Sequence, residues 1–279
     1  MTIERGFLKL REGQVHYRTT GTVGGIHGRV LWMIHASPSS SVQLVPLMQA
    51  LGEGRRVIAP DTLGNGDSVR PEPPDPDATY YADATLRAMD AFALREVDVY
   101  GSHTGAHIAI EVAITAPQRV RRLVLDGIGM FDADTKARLL DRYAPRVNID
   151  VVGSQIHWAW HFVRDQAWFF PYFERDADHN RGLGAPSPQA LHTTTVEVLK
   201  AIDTYHLAYH AAFAHRDRER LPLISAPTLV IADKTDPLRA GVTEAAALVP
   251  GARSEILAGE STPAGLAAKA ERISAFLDE

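Results

Sequence analysis

Short, continuously apolar runs recur along the chain at residues 30–34, 56–60, 97–100, 120–125, 227–231 and 254–257. Such runs lack the alternation of a half-exposed strand, and predict strands buried on both faces, as in a parallel sheet. Most are separated by segments of helical length, at 78–94, 104–115 and 263–277. Strands alternating with helices imply right-handed βαβ units. The fold class is therefore α/β, a mostly parallel central sheet with helices on both faces. Two shorter strands open the chain at 7–10 and 14–18, parted by the turn pair Glu12-Gly13.

The alternation stops between about Met130 and Leu223. This stretch carries Trp158, Trp160, Trp168, Phe169, Phe170, Tyr172, Tyr205 and Tyr209, and has no clear strand signal. Its helical patterns, at 134–143, 154–162 and 196–216, predict an inserted helical lid. The expected division is a core from 1–129 and 224–279, with a lid at 130–223. The proline-rich residues 71–76 read as a stiff surface loop, because the sheet pattern resumes beyond them.

Composition narrows the function classes. The chain has 279 residues, 45% of them hydrophobic and 23% charged, with a formal charge of -5. With 29 basic and 34 acidic residues and no Lys/Arg block, it lacks the electrostatic footprint of a nucleic-acid or anionic-membrane binder. Its partner is expected to be a small molecule, and a homo-oligomer stays open. The absence of cysteine excludes disulfides, a thiol nucleophile and thiolate metal sites, without deciding the compartment. The first residues have no apolar signal-like stretch, and no run is long enough to span a bilayer, so a cytoplasmic location is expected.

In an open parallel sheet, ligands bind beyond the carboxyl ends of the strands. The residues there are His35-Ala36-Ser37-Pro38, Asp61 to Ser68, Gly101-Ser102-His103-Thr104-Gly105, Asp233-Lys234-Thr235-Asp236-Pro237 and Gly259-Glu260. In this order they resemble the α/β-hydrolase family over nearly the whole chain. The matching elements are the Asp-x-x-Gly-x-Gly-x-Ser stretch at Asp61, the strand–turn–helix elbow at Gly101 to Gly105, Asp236-Pro237 after a late strand, and an insertion after the sixth core strand.

Two departures stand out against the family pattern. The elbow needs small residues two before and two after its central residue. Gly101 and Gly105 meet that spacing only with His103 at the centre; centring on Ser102 would crowd the turn with Tyr100 and Thr104. The histidine that the family carries near its C-terminus is replaced by Glu260, and no histidine follows His215. Without a base in reach, Ser102 is a poor nucleophile. The expected catalytic set is therefore His103 as general base or acid, with Asp236 and Glu260 nearby and one or the other orienting it. The amides of Thr104, and of Ser37 or its neighbour after His35, would supply an oxyanion hole.

Other residues read as supports. His35 is expected to hold its loop, and Asp61 and Ser68 to brace the loop after the second core strand. Ser102 and Trp168 are counted with the substrate-binding residues. His206 and His210, like His157 and His161, have a spacing that could serve zinc, but a polar or pocket-facing helix stripe is the simpler reading, and no metal is expected. Gly182 and Gly184 follow no strand and make no dinucleotide fingerprint. The resemblance implies a cofactor-free enzyme for a small, largely apolar carbonyl compound such as an ester, a lactone or a ring-cleavage product. Three readings stay open: hydrolysis, proton transfer without hydrolysis as in a lyase, decarboxylase or isomerase, and ligand binding without turnover.

Overall fold

The structure is a computed structural model and describes residues 2–21, 29–259 and 262–279. Among these residues one sheet contains β1 (Glu4–Lys9), β2 (Gln14–Thr20), β3 (Val30–Ile34), β4 (Arg56–Pro60), β5 (Val97–Ser102), β6 (Val120–Asp126), β7 (Thr228–Asp233) and β8 (Arg253–Leu257). Its order is β1-β2-β4-β3-β5-β6-β7-β8. β2 pairs antiparallel with β1 and β4, and the remaining pairs are parallel.

The expected two-sided burial is found in the central strands. In β3, Leu31 and Met33 join one apolar cluster, while Trp32 and Ile34 join the other. The period of two along a strand sends neighbouring side chains to opposite faces. One face is covered by α1 (Val45–Leu51) and α10 (Pro263–Leu277), which contribute Leu47, Met48, Ile273 and Phe276. The other is covered by α2 (Ala78–Ala91), α3 (Thr104–Thr115) and α9 (Val242–Leu248), with Met89, Ile108, Ile110 and Val242. Asp77 and Thr262 cap α2 and α10 through their side chains, and Pro263 occupies the first turn of α10.

From β3 the chain steps outward to β4, then crosses back so that β5 lies on the other side of β3. This reversal opens a crevice beyond the carboxyl ends of β3 and β5. The ladder pairs Ile34 with Gly101, and Ser102 with Asp126, so His103 is the first residue past the sheet.

Between β6 and β7 the chain is helical: α4 (Ala133–Arg142), α5 (Ser154–Trp168), α6 (Pro188–Lys200), α7 (Tyr205–Ala214) and the single turn α8 (Asp217–Arg220). These helices share their own apolar cluster around Tyr143, Phe162, Tyr172, Tyr205 and Tyr209. Several boundaries differ from the sequence expectation, among them the start of α6 at Pro188 rather than 196. The helix expected over 196–216 is broken, since Thr204 Oγ1 donates to Gly64 O at 2.5 Å and ties the break to the loop after β4. α5 runs on past 162, because the buried Asp165 meets Arg164 and Arg175 at 2.7 and 2.8 Å, which lets a charged segment stay helical against the core. α1 and α9 were not anticipated; each is seven residues long, too short to show a period.

Candidate active site

The turn from β5 into α3 is sharp. His103 stands in it with φ 49° and ψ -111°, a left-handed conformation that costs a non-glycine residue about 1–3 kcal/mol and persists only where its surroundings impose it. Here they do: the His103 N–H donates to Asp126 O at 2.9 Å, and its carbonyl accepts from the Ala106 N–H at 2.8 Å. Close packing underlies the glycine spacing. A Cβ on Gly105 would lie 2.3 Å from Ile34 O, and one on Gly101 would lie 2.3 Å from Gly105 O. Gly127, after β6, has φ 72° and faces the imidazole, where a Cβ would come within 2.2 Å of His103 Cδ2.

His103 Nε2 lies 2.7 Å from Asp236 Oδ2, and Asp236 Oδ1 accepts the Leu238 N–H at 2.7 Å. A carboxylate only accepts, so Nε2 carries the proton and Nδ1 is left for the cavity. Burial opposes charge on the ring, yet the Asp236 carboxylate outweighs it and holds His103 above its ordinary value. Asp236 is held below its own: burial pushes it up, but His103, the Leu238 amide and Arg181 together prevail.

The cavity above the ring measures about 280 Å³. Aromatic side chains from the helical segment form much of its wall: Phe131, Tyr143, Phe170, Tyr209 and Phe213. Polar side chains share that wall, among them Ser37, Thr104, Gln166, His107, Arg181 and Asp233. The Arg181 guanidinium is anchored by Gln166 O at 2.6 Å and Thr235 O at 2.9 Å, which gives the cavity one cationic side.

The expected residues separate into distinct positions. His103, Asp236, Thr104 and Ser37 all line the cavity. The Ser37 N–H, expected to face a substrate oxygen, donates instead to Thr104 Oγ1 at 2.7 Å. The Thr104 N–H, at the first position of α3, is one that no helical carbonyl can reach. His35 is buried, accepting at Nε2 from the Thr62 N–H at 2.9 Å and donating from Nδ1 to Ala36 O at 2.9 Å, so it joins two loops and does not reach the cavity. Ser102 is buried at the end of β5 and Trp168 packs under Arg164 at 5.3 Å; neither is among the lining residues, and both are withdrawn from the substrate-binding set. Phe170, two residues beyond Trp168, takes the position expected of it, because the chain leaves α5 at Phe169 in an extended conformation. Glu260 lies outside the described residues.

Arg181 and His107 were missed. Arg181 lies in an irregular segment with no periodic signal. His107 did carry one, since four residues after His103 is the same face of α3.

Asp61 braces its loop by accepting from the amides of Ser41 and Asp67 and from His16 Nδ1, while Ser68 Oγ donates to Asp61 O. His210 Nε2 donates to Ala144 O at 3.0 Å, and His206 packs beside it, buried. Among the described residues, two groups bring histidine and carboxylate atoms close enough for a cation to be considered: His16, Asp61 and Asp67, and His107, His215 and Asp217. In each, the histidine nitrogens facing carboxylates sit at 2.8–2.9 Å, a hydrogen-bond distance. Asp217 in addition carries the Lys136 ammonium at 3.3 Å. Hydrogen bonds therefore account for both donor sets.

The second group extends to Glu111, which is buried, accepts from His215 at 2.8 Å and is chelated by Arg220 at 2.7 and 2.7 Å. Burial raises the Glu111 carboxyl, but His215 and Arg220 overcome it and bring it down from 4.5 to about 2. A carboxylate with a depressed value stabilises the fold above its unfolded value, and that stability is lost as pH falls through the folded one. Glu111→Gln is expected to cost about 3 kcal/mol at neutral pH by leaving two cations underpaired. In urea titrations the gap from wild type should close between pH 4.5 and about 2; a gap that does not change with pH in that window would refute the assignment.

Residues 29–258 match the model of the alpha/beta hydrolase fold family. The chain is 39% identical over 103 residues to a 2-hydroxymuconate semialdehyde hydrolase of Pseudomonas sp. strain CF600, covering 36% of each. It is 38% identical over 81 residues to a 2-hydroxy-6-oxo-2,4-heptadienoate hydrolase of Pseudomonas putida, covering 29% of each. These matches thus span about a third of the length of the relatives. The enol-lactonase of Burkholderia xenovorans LB400 superimposes over 98% of this chain and 100% of its own, with a TM-score of 0.75 and 20% identity, a likeness of fold. The family match over most of the chain, together with the sheet order and the elbow, makes this protein a member of the alpha/beta hydrolase fold family.

Proposed function

We propose that this protein is a cofactor-free enzyme acting on a small, largely apolar carbonyl compound, and that His103 is its proton-transfer residue. The observation that carries the reading is the His103 imidazole at the tip of the elbow, 2.7 Å from Asp236, opening onto the aromatic cavity. Residues 130–223 act as the lid of that cavity. The named activities of the relatives favour a ring-cleavage product as the substrate class. In hydrolysis, His103 Nδ1 takes a proton from water as the water oxygen bonds to the carbonyl carbon. Asp236 stabilises the imidazolium, and the Thr104 N–H and Arg181 face the negative charge that develops on oxygen.

A second reading is favoured by the Ser37 amide. Its N–H is spent on Thr104 Oγ1, so a tetrahedral oxyanion would find one backbone donor where two are customary. Proton transfer without a tetrahedral intermediate, as in an isomerase or lyase, makes less use of that hole.

The test is turnover of aryl esters, enol-lactones and dienoate ring-cleavage products in water enriched with oxygen-18. Labelled product is expected for hydrolysis, and turnover without label supports the second reading. A panel without turnover, or a serine-directed phosphonate that labels Ser102 or Ser37, overturns the proposal.

A further inference from the structure

We propose that His107 is a second proton-transfer residue of the same cavity, oriented by Asp217, and that it works opposite His103 on one substrate. The inference rests on the second, non-hydrolytic reading of the cavity and specifies how proton transfer is divided there.

His107 lies on α3 one turn after His103, and its ring lines the cavity. Its Nδ1 is 2.8 Å from Asp217 Oδ1, and His215 Nδ1 is 2.8 Å from the same oxygen. The two nitrogens are 3.4 Å apart and share one acceptor, so each carries a proton. For His107 this sets the tautomer and leaves Nε2 as the exchangeable atom. Among the described residues Nε2 has no hydrogen-bond partner. The two imidazoles are thus held in opposite senses: His103 by Nε2 with Nδ1 available, His107 by Nδ1 with Nε2 available.

Their charge surroundings also differ. His215 Nε2 faces Glu111 Oε1, a second acceptor, so both of its ring nitrogens donate and it is an imidazolium. Around His107 the carboxylates Asp217 and Glu111 then meet three cations, His215, Lys136 and Arg220. The same cavity is lined by His103, Arg181, Asp233, Asp236, Tyr143 and Tyr209. His103 has Asp236 at 2.7 Å, and Asp126 and Asp233 close by, against Arg181 and Lys269. Asp236 favours the protonated ring at His103, whose Nδ1–H can be given to a substrate oxygen, while the Nδ1–H tautomer of His107 leaves Nε2 to accept a proton.

The step balances without a co-reactant. His107 Nε2 removes a proton from the carbon beside the carbonyl, and the C–H electron pair becomes the enol double bond. The carbonyl π pair moves to oxygen, which takes the proton from His103 Nδ1. Isomerisation is completed when the enol O–H returns its proton to His103 and a conjugated carbon takes one from His107.

The full-length protein is tested with acetophenone in D2O, following deuterium uptake into the methyl group by NMR. Wild type is expected to accelerate uptake, and His107→Gln to slow it by about a hundredfold or more. Glutamine keeps an N–H for Asp217, so the fold should persist, as circular dichroism would show. Imidazole-region 15N spectra should give His107 as the Nδ1–H tautomer, lost in Asp217→Asn and regained in Asp217→Glu. If wild type and His107→Gln exchange equally while His103→Ala does not, the role of His107 is overturned and that of His103 stands. Wild-type protein that catalyses no exchange overturns both. A His107 spectrum of the Nε2–H tautomer, or a divalent metal that co-purifies and is lost in His107→Gln, also overturns the assignment.

Discussion

His103→Ala lowers kcat on the substrate found by the turnover screen by about a thousandfold, the middle of the range for loss of a positioned acid or base. KM changes little, because the aromatic wall that binds the apolar body of the substrate is untouched. Asp236→Asn should lose less, since the amide still holds the ring at Nε2 but no longer stabilises its charge. The two variants can be told apart by pH. The folded value of His103 is raised above 6.5, burial being outweighed by Asp236. The stability contributed by the pair is therefore fully present below 6.5 and is lost as pH rises through the folded value. Thermal melts should show wild type's advantage over Asp236→Asn greatest in mild acid and shrinking above neutrality. Full activity in His103→Ala, or an advantage that grows with rising pH, would sink the assignment.

Gly105→Ala destabilises the protein by about 3–5 kcal/mol, the exceptional range reached when a buried backbone has no way to yield. The added Cβ would sit 2.3 Å from Ile34 O and 2.7 Å from His35 O. Both contacts are main chain, and Ile34 ends the central strand β3, hydrogen-bonded between β4 and β5. Relief must come from moving α3 off the sheet, which displaces His103 as well. Gly54→Ala serves as the control, since nothing lies within 4 Å of the added carbon. Urea unfolding of the two variants reads the difference; a loss under about 1 kcal/mol at Gly105 would mean that the elbow is looser than its geometry.

The central strands and the elbow were legible because their signals are local. An unbroken apolar run such as 30–34 requires burial on both faces, and two glycines four apart around one bulky residue require a tight turn. The pairing of His103 with Asp236 could be expected on family resemblance, but its atoms could not: 133 residues separate them, and only the sheet order brings the loops after β5 and β7 together. The helical segment was readable as helical and aromatic, yet which rings face inward was not. Trp168 and Phe170 are two apart, and the end of α5 at Phe169 decides that the second lines the cavity.

The amino-acid order by itself determined the class of fold, the place of the elbow and the imidazole at its tip, since each follows from near neighbours along the chain. Tertiary structure alone decided which hydrogen bonds those groups make. It turned the Ser37 amide toward the Thr104 hydroxyl, gave Arg181 a place in the cavity wall, and set His107 against Asp217. The physical reason is range: periodicity and turn chemistry act over a few residues, whereas a side chain's protonation and reach depend on groups that are distant in sequence and meet only when the sheet is assembled.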